Sequence, residues 1–495
     1  MPSSPQLPRV AVIGGGITGL SAAHRLRELA ALRETPIEVT LFEASDRLGG
    51  AIETVRSGGF VIETGADSFL TEKPWALQLA ERLTLSSELI PTQEQFRKTF
   101  VVRSGRLVEI PEGFSLLGPA YLTPLLKSPL FSLRGKLRIM LELLIPRRRD
   151  KTDESLAAFV TRRFGRETLL RVAQPLAGGI YTADPETLSI EATMPRFVEM
   201  ERRYGSVIRG MRAAARGRKA ETRGTSGARW SLFVSFKGGM RSLVDALAAR
   251  LTGSLRLGAG VVALERTESA RAGETRDENR ANPDGIGWRL RLADGSAFAA
   301  DAVVFTAPAY AAAGILEPHD ASIAARLRAI GYASAATVNM AFRAGDFPNL
   351  PRSFGFVVPA AENRRIIAGS FSSLKYAGRA PEGMVLARVF LGGALQTEMM
   401  ALDDAAMIAA ARAEFADLLG VTAEPAMMRV RRWPEAMPQY AVGHLDRVAA
   451  IEREAARLGG LVLVGAYLHG VGIPDCVRSG EAAAEAAMSY VTRPR

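Results

Sequence analysis

Cysteine is almost missing from this chain: Cys476 is the one such residue in 495. A disulfide within the chain is therefore excluded, and a reducing, cytoplasmic compartment is expected. Histidine is scarce too, four residues without ligand spacing, so no structural or catalytic metal is expected. Aromatic residues make up 7% of the chain. The aromatic-rich basic signatures of RNA-binding modules are lacking, which places nucleic acid last among partners. No unbroken apolar run reaches about 18 residues, so no spanning helix is predicted. The segment Met1–Arg9 lacks the apolar core of a signal peptide. No nucleophile–base constellation and no paired carboxylates stand out, so hydrolytic and acid–base enzymes have no support. Acid is outnumbered: 52 acidic against 63 basic residues give a net charge of +11. That excess favours an anionic membrane surface or a carboxylate-bearing substrate, or serves solubility alone.

What is present begins at Val10-Ala-Val-Ile-Gly14-Gly15-Gly16-Ile-Thr18-Gly19. A β-branched strand runs into Gly14-x-Gly16-x-x-Gly19 and then into a helical pattern. A second apolar strand, Val39-Thr-Leu-Phe-Glu43, ends in a carboxylate 24 residues after Gly19. Together they predict a βαβ unit that holds a dinucleotide. Gly14 makes the tight turn, Gly16 admits the pyrophosphate, and Gly19 lets helix and strand approach. The helix N-terminus offers N–H groups to the phosphates. Glu43 receives the ribose hydroxyls.

Further glycine-rich loops follow at Asp46-Arg47-Leu-Gly49-Gly50 and Glu63-Thr-Gly65-Ala66-Asp67. Both suit backbone contacts with a long cofactor, with Arg47 near its phosphates. A helix is predicted over 74–85. Residues 113–145 are apolar, broken by proline and sprinkled with Lys127, Arg134, Lys136 and Arg138. They suit either a segment lying in a membrane interface or a buried helical wall. Basic or charged loops are expected at 212–229 and 267–285. Strands are predicted at Val261-Val262, at 302–307, and in an antiparallel sheet over 336–392 that includes 365–368. The chain closes with a strand at 461–464, a second glycine-rich loop (His469-Gly-Val471-Gly472-Ile473) and a small-residue helix. A second loop so far from the first fits FAD better than a nicotinamide.

These landmarks resemble the FAD-dependent amine-oxidase superfamily, and within it the porphyrinogen oxidases of haem synthesis. The resemblance rests on Gly65-Ala-Asp-Ser-Phe69-Leu-Thr-Glu-Lys73-Pro, Gly179-Ile180-Tyr181-Thr-Ala-Asp-Pro-Glu-Thr-Leu-Ser189, Pro438-Gln-Tyr440 and Gly472-Ile-Pro-Asp-Cys-Val-Arg-Ser-Gly480. It implies an α/β fold of three parts. A discontinuous Rossmann-like FAD domain would comprise 1–90, 227–307 and 441–495. A mixed-sheet substrate domain would comprise 91–112 and 308–440, and a helical membrane-docking domain 113–226.

The resemblance also implies a non-covalent FAD site. Its residues would be Gly14, Gly15, Gly16, Thr18, Gly19, Glu43, Ala44, Arg47, Gly49, Gly50, Gly65, Ala66, Asp67, Val261, Ala307, Gly465, Val471, Gly472 and Ile473. The substrate would be a porphyrinogen, apolar in its middle and carboxylated at its edge, in a pocket lined by Ile180, Phe354, Gly355, Val357 and Phe390. Lys73 would meet a carboxylate. Several relatives carry an arginine for a propionate where this chain has Thr99; Arg97, Lys98 and Arg103 stand nearby. The Lys73 arrangement is more like the Gram-positive type, which oxidises coproporphyrinogen III. Hydride would pass to flavin N5, with dioxygen reduced to hydrogen peroxide. No side chain is assigned as a general base. Implied partners are an anionic membrane surface, a second copy of the chain and the next haem-pathway enzyme. Another flavin amine oxidase, a carotenoid desaturase or a non-catalytic binding protein of the same fold are the rival readings.

Overall fold

The computed structural model describes residues 7–114, 116–222, 232–267 and 287–493. Its first sheet is parallel, in the order Leu255–Arg256, Glu38–Phe42, Arg9–Ile13, Ala302–Phe305, Leu461–Leu463. These strands are runs of Val, Leu, Ile and Phe because both faces are covered. Val10, Val12, Leu41 and Val304 face the first helix, Ile17–Leu32, and the last, Ile473–Val491. Ala11, Ile13, Phe42 and Phe305 face the opposite layer. That layer holds helices Ala309–Leu316 and Ala321–Arg328 and a three-stranded antiparallel sheet, Val261–Thr267, Gly287–Leu292 and Ala297–Ala300.

A second, seven-stranded sheet runs Met427–Pro438, Tyr332–Arg343, Met384–Gly392, Ala368–Phe371, Gly355–Val357, Thr99–Arg103, Arg106–Glu109. Gly355–Val357 pairs parallel with Thr99–Arg103; its other pairings are antiparallel. Side chains alternate between its faces. Val338, Met340, Phe356, Phe371 and Val389 pack beneath helix Asp404–Leu419. Thr337, Phe390, Ala368 and Val357 stand in one cross-strand row on the other face. That face carries the candidate site.

Residues 122–222 form a helical region on this second face. Ser132, Ser155 and Ser189 cap helices there through their hydroxyls. Its centre is an ion pair between Arg163 and Glu142, both with fully buried side chains. Glu142 also accepts from the backbone N of Val207 at 2.7 Å and from the Ser206 hydroxyl at 2.5 Å. The donors matter, because a buried carboxylate without them would be costly. Among the described residues, no helix is long and apolar enough to cross a membrane.

Three expectations change. Residues 212–222 are not loop but the end of helix Val207–Thr222. Ala, Arg, Lys and Glu dominate there and favour helix whatever their charge. The strand expected at 365–368 begins at Ala368. The strand expected at Val261-Val262 is present as Val261–Thr267, in the three-stranded antiparallel sheet. The helix over 74–85 is shorter, Trp75–Arg82. The loop expectations for 223–229 and 268–285 lie outside the described residues.

Candidate cofactor and substrate site

Three glycines of the first loop have different surroundings. A Cβ on Gly14, which has φ +108°, would stand 2.6 Å from the Thr306 hydroxyl oxygen; on Gly19 it would strike the Gly14 carbonyl at 1.9 Å. At Gly16 it would meet nothing within 4 Å. Gly14 and Gly19 therefore serve packing, and Gly16 faces open space at the N-terminus of helix Ile17–Leu32. That is where a phosphate fits. Thr18 is buried in the first turn.

Glu43 stands at the C-terminal end of its strand. It accepts from the Gly15 backbone N at 2.6 Å and from the Ser45 backbone N and hydroxyl at 2.9 and 2.7 Å. Ala44 lies under Gly260, next to Val261, which brings Glu43, Ala44 and Val261 together. Gly49 donates to Gly15 O at 2.8 Å. Gly65 approaches the Ala51 carbonyl so closely that a Cβ would be 1.9 Å from it. Arg47 donates to Gly50 O at 2.6 Å, bracing that turn.

The far end is built by the last helix. Gly472 is its N-cap residue, before Ile473. Gly480 lies so close to the first helix that a Cβ would stand 2.3 Å from Thr18 O. Ala307 and Gly465 both adjoin Thr306, and through it Gly14. Tyr440 donates to Ala466 O at 2.5 Å and accepts from Gly470 N at 2.8 Å. It thus fixes the loop that carries Val471. The contact of Gly480 with Thr18 O and that of Gly465 with Thr306 O bring the last helix and its loop beside the first glycine loop.

The second sheet clamps the Glu63–Asp67 segment. Thr64 O accepts from the Thr337 hydroxyl at 2.9 Å and from the Trp433 indole at 3.0 Å. Arg388 donates to Glu63 O at 3.1 Å, Gly65 O at 2.6 Å and the Asp67 carboxylate at 3.0 Å. Lys375 Nζ donates to both Asp67 oxygens, at 3.1 and 3.0 Å. Burial opposes ionisation of Asp67, but the adjacent Lys375 and Arg388 hold its carboxyl well below the usual carboxylate range. Sequence reasoning missed Arg388, Lys375, Trp433 and Thr306. Arg388 alone had a signal, as one charge inside the apolar run Val385–Leu391.

Next to this clamp, Val471 and Phe390 pack against a cluster that contains Val357, Ala368, Ala177 and Tyr440. The Gly179 Cα approaches Val357, where an added Cβ would be 3.7 Å away. Gly355, with φ +154°, has no room for a side chain: a Cβ would lie 2.2 Å from Gly369 O. Ile180 and Phe354 lie outside this cluster, and Ile180 is partly exposed. Lys73 Nζ stands 2.5 Å from Asp475 in the first turn of the last helix. Thr99 pairs in register with Gly355; nearby, Lys98 pairs with Glu109 at 3.0 Å.

Residues 17–488 match the model of the flavin-containing amine oxidoreductases. The chain belongs to this family. The coproporphyrinogen III oxidase of Bacillus subtilis (strain 168) is 33% identical, over 97% of this chain and 98% of that protein. Its namesake from Propionibacterium freudenreichii is 34% identical, over 96% of this chain and 89% of that one. A crystal structure from Exiguobacterium sp. 255-15, described as a candidate protoporphyrinogen oxidase, superposes with a TM-score of 0.82 at 28% identity. It covers 98% of this chain and 99% of that one.

A member of this family is an FAD-dependent oxidoreductase. The open space at Gly16, bounded by a helix N-terminus and by Glu43, suits a pyrophosphate between ribose and flavin.

Proposed function

We propose that this protein oxidises a porphyrinogen to a porphyrin in haem synthesis, with FAD as cofactor and dioxygen as final acceptor. The observation that carries the reading is that Val471, from the loop expected against the flavin, and Phe390 pack against one apolar cluster that also contains Val357, Ala368 and Tyr440. An apolar wall beside the cofactor suits a macrocycle better than a small amine. The names of the full-length relatives support the same reading. In it, Gly14–Gly19, Glu43, Ala44, Arg47, Gly49, Gly50, Gly65–Asp67, Val261, Ala307, Gly465 and Val471–Ile473 hold FAD. Ile180, Phe354, Gly355, Val357 and Phe390 line the substrate pocket, and Lys73 meets a carboxylate. The domain division set out above accompanies this assignment.

Bound flavin supplies the hydride acceptor. The chain's own contribution is placement and exclusion of water. Tyr440 and Gly472 fix the loop at the cofactor, and Arg388 fixes Gly65. No side chain is asked to move a proton. The test is aerobic incubation of the FAD-loaded protein with coproporphyrinogen III and with protoporphyrinogen IX. Porphyrin fluorescence should rise with release of hydrogen peroxide. A protein that cannot take up FAD, or that oxidises amines and leaves both porphyrinogens untouched, refutes the reading.

The same proposal includes peripheral attachment to an anionic membrane surface on the cytoplasmic side. Leu133, Leu137, Leu141 and Leu144 recur at helical spacing and turn outward; Leu133 is 84% and Leu144 78% exposed. Lys127, Arg134 and Lys136 lie within or beside this segment in the sequence, whereas Arg138 donates to the carbonyls of Thr161, Arg162 and Arg163. An outward apolar face with basic residues in the same segment suits an anionic bilayer interface. Wild-type protein should sediment with anionic vesicles, and the Leu133→Glu/Leu144→Glu variant should stay in solution. Equal sedimentation of the two would refute this placement.

A further inference from the structure

The loop that leads into the last helix lies outside regular structure. Residues 464–472 belong neither to the strand Leu461–Leu463 nor to helix Ile473–Val491. Their backbone groups must therefore find partners elsewhere. Three of these groups, on alternate residues, are taken by two side chains. The Tyr440 hydroxyl donates to Ala466 O and accepts from Gly470 N. Between them, Leu468 O stands 3.0 Å from His444 Nε2.

A carbonyl only accepts, so this bond requires the proton on Nε2 and leaves Nδ1 bare. Nδ1 is buried with no hydrogen-bond partner among the described residues. Burial lowers the imidazole to about 4; Arg447 and His469 push the same way, while the Leu468 bond and Asp153 oppose them. His444 is thus a neutral donor in one tautomer.

The donor is also fixed in space. Its ring stacks on that of Tyr440, with centroids 4.0 Å apart and planes inclined by 11°. His444 opens helix His444–Ala455, and Gly443 N just before it donates to Asp153 at 3.0 Å. Val442 N donates to Thr187 O at 3.0 Å, and Tyr440 O accepts from Ser189 N at 2.8 Å. The segment 440–444 is therefore pinned to the helical region and presents both rings to the loop. The same helix reaches the loop again through Glu452, 2.5 Å from His469 Nε2.

We propose that His444 is a positioning residue for the flavin: its Nε2–H orients Leu468, and through it seats Val471, Gly472 and Ile473 against the ring. The inference rests on the reading that these three residues meet the flavin. His444 acts through the loop, so its loss should show in the flavin itself and not only in stability.

The test compares FAD titration, the visible flavin spectrum and the flavin midpoint potential in wild type, His444→Phe and His444→Gln, beside thermal melting of the apo-proteins. Phenylalanine keeps a ring on Tyr440 and loses the donor. It should weaken FAD binding about three- to tenfold and shift both spectrum and potential at saturating FAD. Glutamine loses the ring but carries an amide N–H at the reach of Nε2. It should restore affinity to within about twofold of wild type and return the spectrum toward that of wild type. Nitrogen NMR of histidine-labelled wild type should show His444 as the Nε2–H tautomer at neutral pH. An Nδ1–H tautomer, a glutamine variant that recovers nothing, or a phenylalanine variant that melts early yet binds FAD with wild-type affinity, spectrum and potential would overturn the role. Val471→Asp separates this from the underlying reading: a carboxylate against the ring should lower the potential. No change there would overturn the placement of the loop on the flavin, whereas a change there with none in His444→Phe would overturn His444 alone.

Discussion

Replacing Gly16 by aspartate separates cofactor binding from folding, because Gly16 and Gly19 occupy opposite surroundings. Gly16 has φ −70° and ψ 176°, extended backbone that any residue adopts. A Cβ there meets nothing within 4 Å. As the N-cap residue of helix Ile17–Leu32, an aspartate would even be favoured. The folding cost of Gly16→Asp is therefore about 0 kcal/mol, within roughly 0.5 kcal/mol either way. The binding cost is large. A carboxylate in the phosphate position removes charge-assisted hydrogen bonds from backbone N–H groups, each worth about 1.5–3 kcal/mol. Two such losses come to about 3–6 kcal/mol, or roughly a 10²- to 10⁴-fold loss of FAD affinity. Gly19→Ala reverses the pattern. Its Cβ would stand 1.9 Å from Gly14 O, and relieving that overlap costs about 1–3 kcal/mol of stability. The assay pairs thermal melting of the apo-proteins with FAD titration by flavin fluorescence. Gly16→Asp should melt with the wild type and fail to bind, whereas Gly19→Ala should melt early. Near-normal FAD affinity in Gly16→Asp would refute the phosphate assignment.

Asp67→Asn should destabilise the protein by about 3–5 kcal/mol in urea unfolding, because it leaves Lys375 and Arg388 buried without their anion. The Asp67 carboxyl is held below its ordinary range, so its contribution is full above the unfolded pKa of about 3.9 and fades as pH falls toward the folded value. The asparagine variant should accordingly show a shallower loss of stability below about pH 5; an identical acid limb would count against an ionised Asp67. Cys476 is buried, and burial pushes its thiol up to about 11. Iodoacetamide at neutral pH should modify it only after unfolding, and rapid labelling of the native protein would contradict that burial. Tyr440→Phe removes the bonds to Ala466 O and Gly470 N. It should lower stability by about 1–3 kcal/mol and weaken FAD binding; unchanged flavin affinity would show that the Gly470 loop holds its shape without Tyr440.

The parallel sheet was legible because strands covered on both faces must be apolar throughout, as in Val10–Ile13 and Ala302–Phe305. The cofactor loops were legible because glycine is demanded by backbone contacts that lie close in sequence, such as Gly19 against Gly14. Charge clusters were not legible in the same way. Asp67 finds Arg388 across 321 residues, and Lys73 finds Asp475 across 402. Nothing local in either sequence neighbourhood encodes the partner. The segment 212–222 misled for a different reason: its charges suggest solvent, but charge does not oppose helix where Ala, Arg, Lys and Glu predominate.

The leucines at 133, 137, 141 and 144 show where pattern ends and packing begins. Their spacing gives one helical face, but only the fold shows that this face turns outward while Ile139 turns in. The last helix shows the converse. Its Ala and Gly content reads as weakly specified in the sequence, yet Gly480 must be small because Thr18 O lies 2.3 Å from where its Cβ would stand. That contact joins the first glycine loop to the second. An alanine at Gly480 would push the last helix off the first and shift Gly472 away from the first glycine loop. The distance between two loops far apart in sequence is thus set by one missing methyl group, which no reading of either loop alone could supply.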